Sequence, residues 1–455
     1  MGATVSPDRV AELKAREDAA FVSSHGRSLE LHARARSSMP LGVPMSWMAD
    51  LYDHAPLFVA SGDGATFCDM DGHRYIDMSL GITAASAGHT PEPVIRAVRE
   101  QIGRGVQFVL PTEDAIMLSE ELARRWGMPK WQYTLTATQA VTEVTRLARI
   151  LTGREKLLVF EGKYHGHGSE TLVIPDEAGT APEYQGIMPA DIARTVVVGW
   201  NDLAAVERVL AGRDVALVLA EPLLTNSGIV FPRDGFHDGL RRLTTETGTL
   251  LVIDETQSLP MAFGGLVREW RLEPDAVVLG KSLGGGVPAA AYGMSDTLAG
   301  LIDREHAVYE VSGDAVDEPA IGGTMFANAL SIAAARAAIE SVWTPETYAR
   351  TNQLTRSLAD GMGEAIRRHG YDWDVYRVGN RAGYRFSPHP PLNVTEANER
   401  DIPAIRHLQR VYFLNRGVWE FGWWCGPAVS AQMTEKDVRH YLDLFAAFVA
   451  ELSVC

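Results

Sequence analysis

One lysine stands out for its setting. The run Asp275-Ala-Val-Val-Leu-Gly-Lys281-Ser-Leu-Gly-Gly-Gly286 holds a short apolar stretch, a glycine, the lysine and then three consecutive glycines. It reads as a strand that delivers one amine into a glycine-lined turn, where backbone can crowd a ligand. A lysine partly enclosed by apolar residues loses proton affinity and becomes a nucleophile of the Schiff-base kind.

Other strand ends carry polar residues as well. Thr249-Leu-Leu-Val-Ile-Asp254-Glu255 closes an apolar run on two carboxylates, and Asp254 precedes Lys281 by 27 residues, about one strand-helix-strand unit. A carboxylate there either caps a turn or holds a protonated ring nitrogen of a heterocycle. Leu135-Thr-Ala-Thr138-Gln-Ala opens a helix with small hydroxyl residues. It is either a plain N-cap or a phosphate seat, where free amides and the helix dipole meet an anion. In Phe160-Glu-Gly-Lys-Tyr164-His-Gly-His167 the tyrosine suits an aromatic platform beside a flat ligand. Its two histidines are turn neighbours that seldom converge on one ion, so no metal is expected. Gly322-Gly323-Thr324 is a loop, or a further donor of hydroxyl and amide hydrogen bonds if an anion lies in the site.

The elements that must position these residues alternate. Strands are expected at Lys156–Phe160, Thr195–Val198, Val215–Ala220, Thr249–Ile253 and Ala276–Leu279, with helices at Thr138–Thr152, Leu203–Leu210 and Phe236–Glu246. Continuous apolar strands indicate a largely parallel α/β sheet covered on both faces, with ligands at the carboxyl ends of its strands. Before this region lie a helix-permissive arm from Pro7 to about Ala35 and short antiparallel pieces between Pro56 and Asp77. After it, helical patterns at Ser331–Trp343, Thr347–His369, Ile402–Leu414 and Glu435–Leu452 point to a smaller α+β domain. The expected division is residues 1–80 as arm and part of the small domain, 81–335 as the large domain, and 336–455 as the rest of the small domain.

Length, at 455 residues, allows two domains, and a formal charge of −16 argues against nucleic acid or an anionic membrane as partner. Three scattered cysteines suit a reducing compartment, and no run has membrane-spanning length, so a cytoplasmic protein is expected.

Taken together, the set resembles the class III aminotransferases of PLP fold type I, close to the glutamate-1-semialdehyde 2,1-aminomutase branch. The resemblance runs from about Pro56 to the C-terminus. It is carried by Gly153-Arg-Glu-Lys, Phe160-Glu-Gly-Lys-Tyr-His-Gly-His167, Ala220-Glu-Pro222, Ile253-Asp-Glu-Thr256 and Leu279-Gly-Lys281-Ser-Leu-Gly-Gly-Gly-Val-Pro288. It implies a mostly parallel seven-stranded sheet in the large domain and a small domain from both chain ends. It further implies that Lys281 forms the internal aldimine with pyridoxal phosphate and that Asp254 pairs with the pyridine nitrogen. Tyr164 would stack on one ring face and Thr256 approach the other. Ala137 and Thr138 would seat the phosphate, and Asn226 would lie near the cofactor. Thr324 would reach the phosphate of a partner subunit, making a homodimer with shared sites.

The departures concern substrate. The family's Ser-Gly-Thr-Glu-Ala appears as Thr136-Ala-Thr-Gln-Ala140, which adds a methyl and removes a charge near the phosphate. Gln257 follows Asp254-Glu-Thr, and the substrate-facing arginine usual after that motif is absent. Met48, within Ser46-Trp47-Met-Ala, aligns with a carboxylate-binding arginine of the aminomutase. Arg385 either takes that place from the small domain or forms a structural ion pair.

These features predict an aminotransferase that moves an amino group from an amine or β-amino acid to a carbonyl acceptor, with Lys281 as general base. Trp47, Met48 and the Trp423-Trp424 pair would favour an apolar donor. The alternatives are an intramolecular 2,1-aminomutase and a degenerate cofactor-binding protein. A nicotinamide-binding sheet fits less well, because Gly284–Gly286 follows Lys281 rather than opening a helix after a strand.

Overall fold

The computed structural model describes residues 5–177, 179–306, 321–421 and 425–453. Its central sheet has seven strands: β1 (Lys130–Thr134), β2 (Lys156–Phe160), β3 (Thr195–Val198), β4 (Val215–Ala220), β5 (Leu250–Asp254), β6 (Ala276–Leu279) and β7 (Ala290–Met294). They lie in the order β1-β7-β6-β5-β4-β2-β3. Only β7 runs against its neighbours. All six residues of β4 and all four of β6 are buried, as strands covered on both faces require.

The five expected strands are β2 to β6, the expected Thr249–Ile253 lying one residue ahead of β5. The expectations lack β1 and β7. β1 is an edge strand whose Lys130 and Gln132 are exposed, and β7, Ala-Ala-Tyr-Gly-Met, has no β-branched residue. Its composition answers to packing rather than propensity. Gly293 pairs with Trp131 across the ladder, and a Cβ on it would lie 2.6 Å from that indole ring.

Helix α1 (Ala137–Thr152) covers the sheet with Ala140, Val141, Val144, Leu147 and Ala148, which share a core with Leu157, Val159, Leu217, Leu219 and Tyr292. Glu113–Trp126, another helix, is also missing from the expectations.

The chain divides into two compact units, one of residues 92–348 with 391–398, the other of 1–91, 349–390 and 399–455. The second draws on both chain ends. Its strands Val59–Asp63, Thr66–Asp69 and Arg74–Asp77 are antiparallel, with Val418–Trp419 added in parallel, and Asp374–Val378 pairs with Arg381–Arg385. Its core includes Leu358, Met362, Leu408, Phe413, Tyr441 and Phe445. Among the described residues no helix is long and apolar enough to cross a membrane.

Candidate active site

The polar residues at issue in the larger unit come off the carboxyl ends of parallel strands. β5 ends on Asp254, which is 4% exposed. Its Oδ1 accepts from the Thr256 amide at 2.9 Å and its Oδ2 from His165 Nδ1 at 2.8 Å. Burial alone would raise the pKa of this carboxyl, but the hydrogen bond and charge of His165, with Thr256, bring it below the usual range. Asp254 therefore stays ionised.

The next carboxylate does different work. Glu255 accepts from Ser258 Oγ, from the Leu266 amide at 3.1 Å and from the Val267 amide. Burial pushes its pKa up to about 7. It braces its own loop, as strand alternation between adjacent residues allows.

β6 runs parallel to β5 with Val278 opposite Asp254, so Lys281 emerges beside that carboxylate's strand end. Half-buried Lys281 sits at φ +43°. A non-glycine residue there costs about 1–2 kcal/mol and persists only where the surroundings enforce it. Before it, Gly280 is pressed from two sides: a Cβ would lie 2.9 Å from Ala137 Cβ and 3.2 Å from Thr256 Cγ2. Gly280 thus brings the lysine, the start of α1 and Thr256 together.

α1 begins with a reciprocal cap. Gln139 N–H donates to Thr136 Oγ1 at 3.4 Å, and the Thr136 amide donates to Gln139 Oε1 at 3.1 Å. Glutamine performs the cap as glutamate would, without its charge. The amides of Ala137 and Thr138 remain as leading donors at the positive end of the helix dipole. Thr138 Oγ1 accepts from the His167 amide at 3.1 Å. Gly166, at φ +93°, permits this approach, since a Cβ would lie 2.2 Å from that oxygen.

Tyr164, 40% exposed, donates its amide to Glu221 Oε1 at 3.4 Å. Glu221 follows β4, is buried, and accepts from Thr225 Oγ1 and from Asn226 Nδ2, the latter at 3.2 Å. Burial raises its pKa, with the Asp254 charge adding to the effect. Asn226 is thereby tied to Glu221. Thr256 and Gln257 are both buried. Thr324 is exposed, and its carbonyl accepts from Gln107 Nε2.

Lys281, Asp254, Thr256, Ala137, Thr138, Tyr164 and Asn226 are all brought to this end of the sheet. Glu221 was not singled out from the sequence, and His165 was weighed there only as one of a histidine pair for a metal; both lie inside the quoted motifs, and their signal was position beside Tyr164 and after β4. The remaining residues belong to the other unit. Trp47 and Met48 lie in the turn Ser46–Leu51, with the Trp47 ring 6.4 Å from Phe421. Arg385 is ion-paired with Asp374 and stands 4.4 Å over the Tyr376 ring. The Trp423-Trp424 pair lies outside the described residues.

The aminotransferase class-III family model matches residues 47–402. The chain belongs to the class-III aminotransferases. It is 35% identical to the glutamate-1-semialdehyde 2,1-aminomutase of Gemmatimonas aurantiaca over 84% of this chain and 87% of that one. A solved glutamate-1-semialdehyde aminomutase from Pseudomonas aeruginosa PAO1 superposes with TM-score 0.92 at 37% identity, covering 98% and 99% of the two chains. An omega-transaminase from Sphaerobacter thermophilus superposes with TM-score 0.86 at 28% identity, covering 95% and 99%. This class-III aminotransferase has PLP fold type I, and its cofactor is pyridoxal phosphate. The donor set suits that group: an ionised buried carboxylate for a cationic ring nitrogen, helix amides for a phosphate, and an amine for an aldehyde.

Proposed function

We propose that this family member is a transaminase that takes an amino group from an apolar amine or β-amino acid and gives it to a carbonyl acceptor. The reading rests on the ionised Asp254, held by His165, one strand from Lys281. Bound pyridoxal phosphate supplies an aldehyde that condenses with amines and a ring that takes up the electrons released when a substrate carbon loses its proton. Lys281 would hold that aldehyde between turnovers and, once freed, would act as the base that takes the proton from the substrate carbon. Asp254 would keep the ring nitrogen protonated, and Tyr164, Thr256 and Asn226 would help to hold the ring. The Ala137 and Thr138 amides hold the phosphate.

The same reading includes a homodimer in the cytoplasm, with Thr324 completing the partner's phosphate site. Support comes from the exposed apolar residues Phe108, Val109, Leu110 and Met325 around Gln107 and Thr324.

The substrate side of the reading rests on missing guanidinium groups. No arginine follows Asp254-Glu-Thr-Gln257, Met48 stands where the resemblance puts one, and Arg385 is engaged by Asp374. The 2,1-aminomutase reading has the similarity to the aminomutases in its favour. One experiment separates them. The holoenzyme is incubated with glutamate-1-semialdehyde alone, and in parallel with β-amino acids or arylalkylamines plus a 2-oxoacid. Amine-dependent conversion of the oxoacid is expected; efficient formation of 5-aminolevulinate without a donor would overturn the transaminase assignment.

A further inference from the structure

In the unit built from both chain ends, three metal-ligating side chains converge. One ligand atom from each of His25, Asp69 and His73 lies within 4.8 Å of the other two, and both His25 and Asp69 are buried. We propose that His25, Asp69 and His73 form a binding site for a divalent transition-metal ion of the zinc type.

Two of the three ligands are oriented by partners behind them. His25 follows the helix Pro7–Ser24, and its Nδ1 lies 2.9 Å from the Phe21 carbonyl oxygen. Ser24 Oγ also lies 2.9 Å from Nδ1, and Nε2 lies 2.8 Å from the Tyr75 hydroxyl; a metal would select the tautomer with its hydrogen on Nδ1, towards the carbonyl, and its lone pair at Nε2. Ligating histidines are commonly fixed in this way by a backbone carbonyl.

Asp69 is fixed from the other side. Its Oδ1 accepts from the amides of Asp71 at 3.0 Å and His73 at 2.8 Å. Oδ2 is left facing His73 Nδ1 at 3.2 Å and His25 Nε2 at 3.6 Å. With zinc–ligand bonds of about 2.0–2.2 Å, tetrahedral ligand atoms stand roughly 3.4 Å apart, and the two separations bracket that figure. The Tyr75 hydroxyl donates to Asp69 Oδ2 at 2.7 Å and lies 2.8 Å from His25 Nε2, so it braces both ligands, and water would take the fourth corner. The His73 side chain is 40% exposed and gives the ion a way in. On binding, the His73 hydrogen sits on the solvent-facing Nε2, leaving Nδ1 to coordinate. Two imidazoles with one carboxylate suit zinc, cobalt or nickel better than magnesium or calcium, which prefer all-oxygen sites.

The site would staple the N-terminal helices to the Thr66–Asp77 hairpin, which Asp71 already joins through the Arg27 and Ser28 amides at 2.6 and 2.9 Å.

The test uses chelator-treated holoenzyme titrated with zinc chloride by calorimetry, and with cobalt(II) by visible absorption. We expect one tight equivalent and a tetrahedral cobalt spectrum in the wild type. His73→Ala, at a half-exposed position, should fold normally and lose more than about tenfold in zinc affinity; His25→Gln should lose the cobalt spectrum. Both should keep the cofactor absorbance. Equal zinc affinity in wild type and His73→Ala, or no micromolar binding by the wild type, would overturn the proposal.

Discussion

His165 Nδ1 donates to Asp254 Oδ2 at 2.8 Å, joining the turn after β2 to the end of β5 across 89 residues of chain. With the Thr256 amide on the other oxygen, it compensates a carboxylate that burial would otherwise neutralise. Asp254 can pair with a cationic ring nitrogen only while it is ionised.

Removing that donor should therefore show in the pH profile. In His165→Ala the Asp254 pKa rises towards and above its ordinary value, so activity falls as pH is lowered through a range where the wild type is still fully active. We expect the acid limb of kcat/KM to move up by at least about one pH unit. Asparagine can still donate near the Nδ1 position, so His165→Asn should restore much of the wild-type profile. Superimposable profiles for all three proteins would remove this role from His165.

Lys281→Ala should leave a folded protein that binds the cofactor weakly, lacks the Schiff-base absorption band and does not turn over. Absorbance spectra and donor-dependent oxoacid conversion check it. Transamination at the wild-type rate would refute the assignment.

Gly166 is held at φ +93° against Thr138. In Gly166→Ala the Cβ collides with Thr138 Oγ1 in a backbone conformation alanine avoids, so the turn bearing Tyr164 and His165 must move off α1. A stability loss of about 1–3 kcal/mol is expected, with faster cofactor dissociation. Thermal melts and cofactor release under dilution measure the two effects.

A second buried acid makes a stability prediction in the other unit. Glu420 accepts from Tyr441 Oη at 2.7 Å and from Gln409 Nε2 at 3.1 Å, and burial pushes its pKa up to about 7. The folded state holds this proton more tightly than the unfolded chain. Its contribution is thus fully present below pH about 4.5 and is lost as pH rises through about 7. Glu420→Gln mimics the neutral acid and should be more stable than wild type at pH 8, by up to about 3 kcal/mol, with the two converging in mild acid. Denaturant melts at both pH values decide it; a constant difference across pH would be the contrary result.

Much of the chemistry was legible along the chain because it is local. A strand buried on both faces needs a continuous apolar run, so β2 to β6 announced themselves, and the residue after each run had to lie at the sheet's edge. Lys281, Asp254 and Tyr164 were singled out that way, and the small hydroxyl residues of Leu135–Ala140 marked the start of α1. Family resemblance then attached a cofactor to the pattern.

Other choices belong to the tertiary structure. Two acids close β5, and nothing local distinguishes them; only the packing of the loop through Leu266 and Val267 turns Glu255 away and leaves Asp254 to His165. That histidine's partner depends on which strands lie side by side, a relation no local period encodes. β7 escaped notice because Gly293 answers to Trp131 on the neighbouring strand rather than to strand propensity. His25, Asp69 and His73 show the same limit, since a helix end and a hairpin acquire a common point only when the chain folds them together. Sequence by itself determined which side chains stand at the ends of buried strands; the fold decided which of them face one another, because burial and hydrogen bonding between distant segments are settled only when those segments pack.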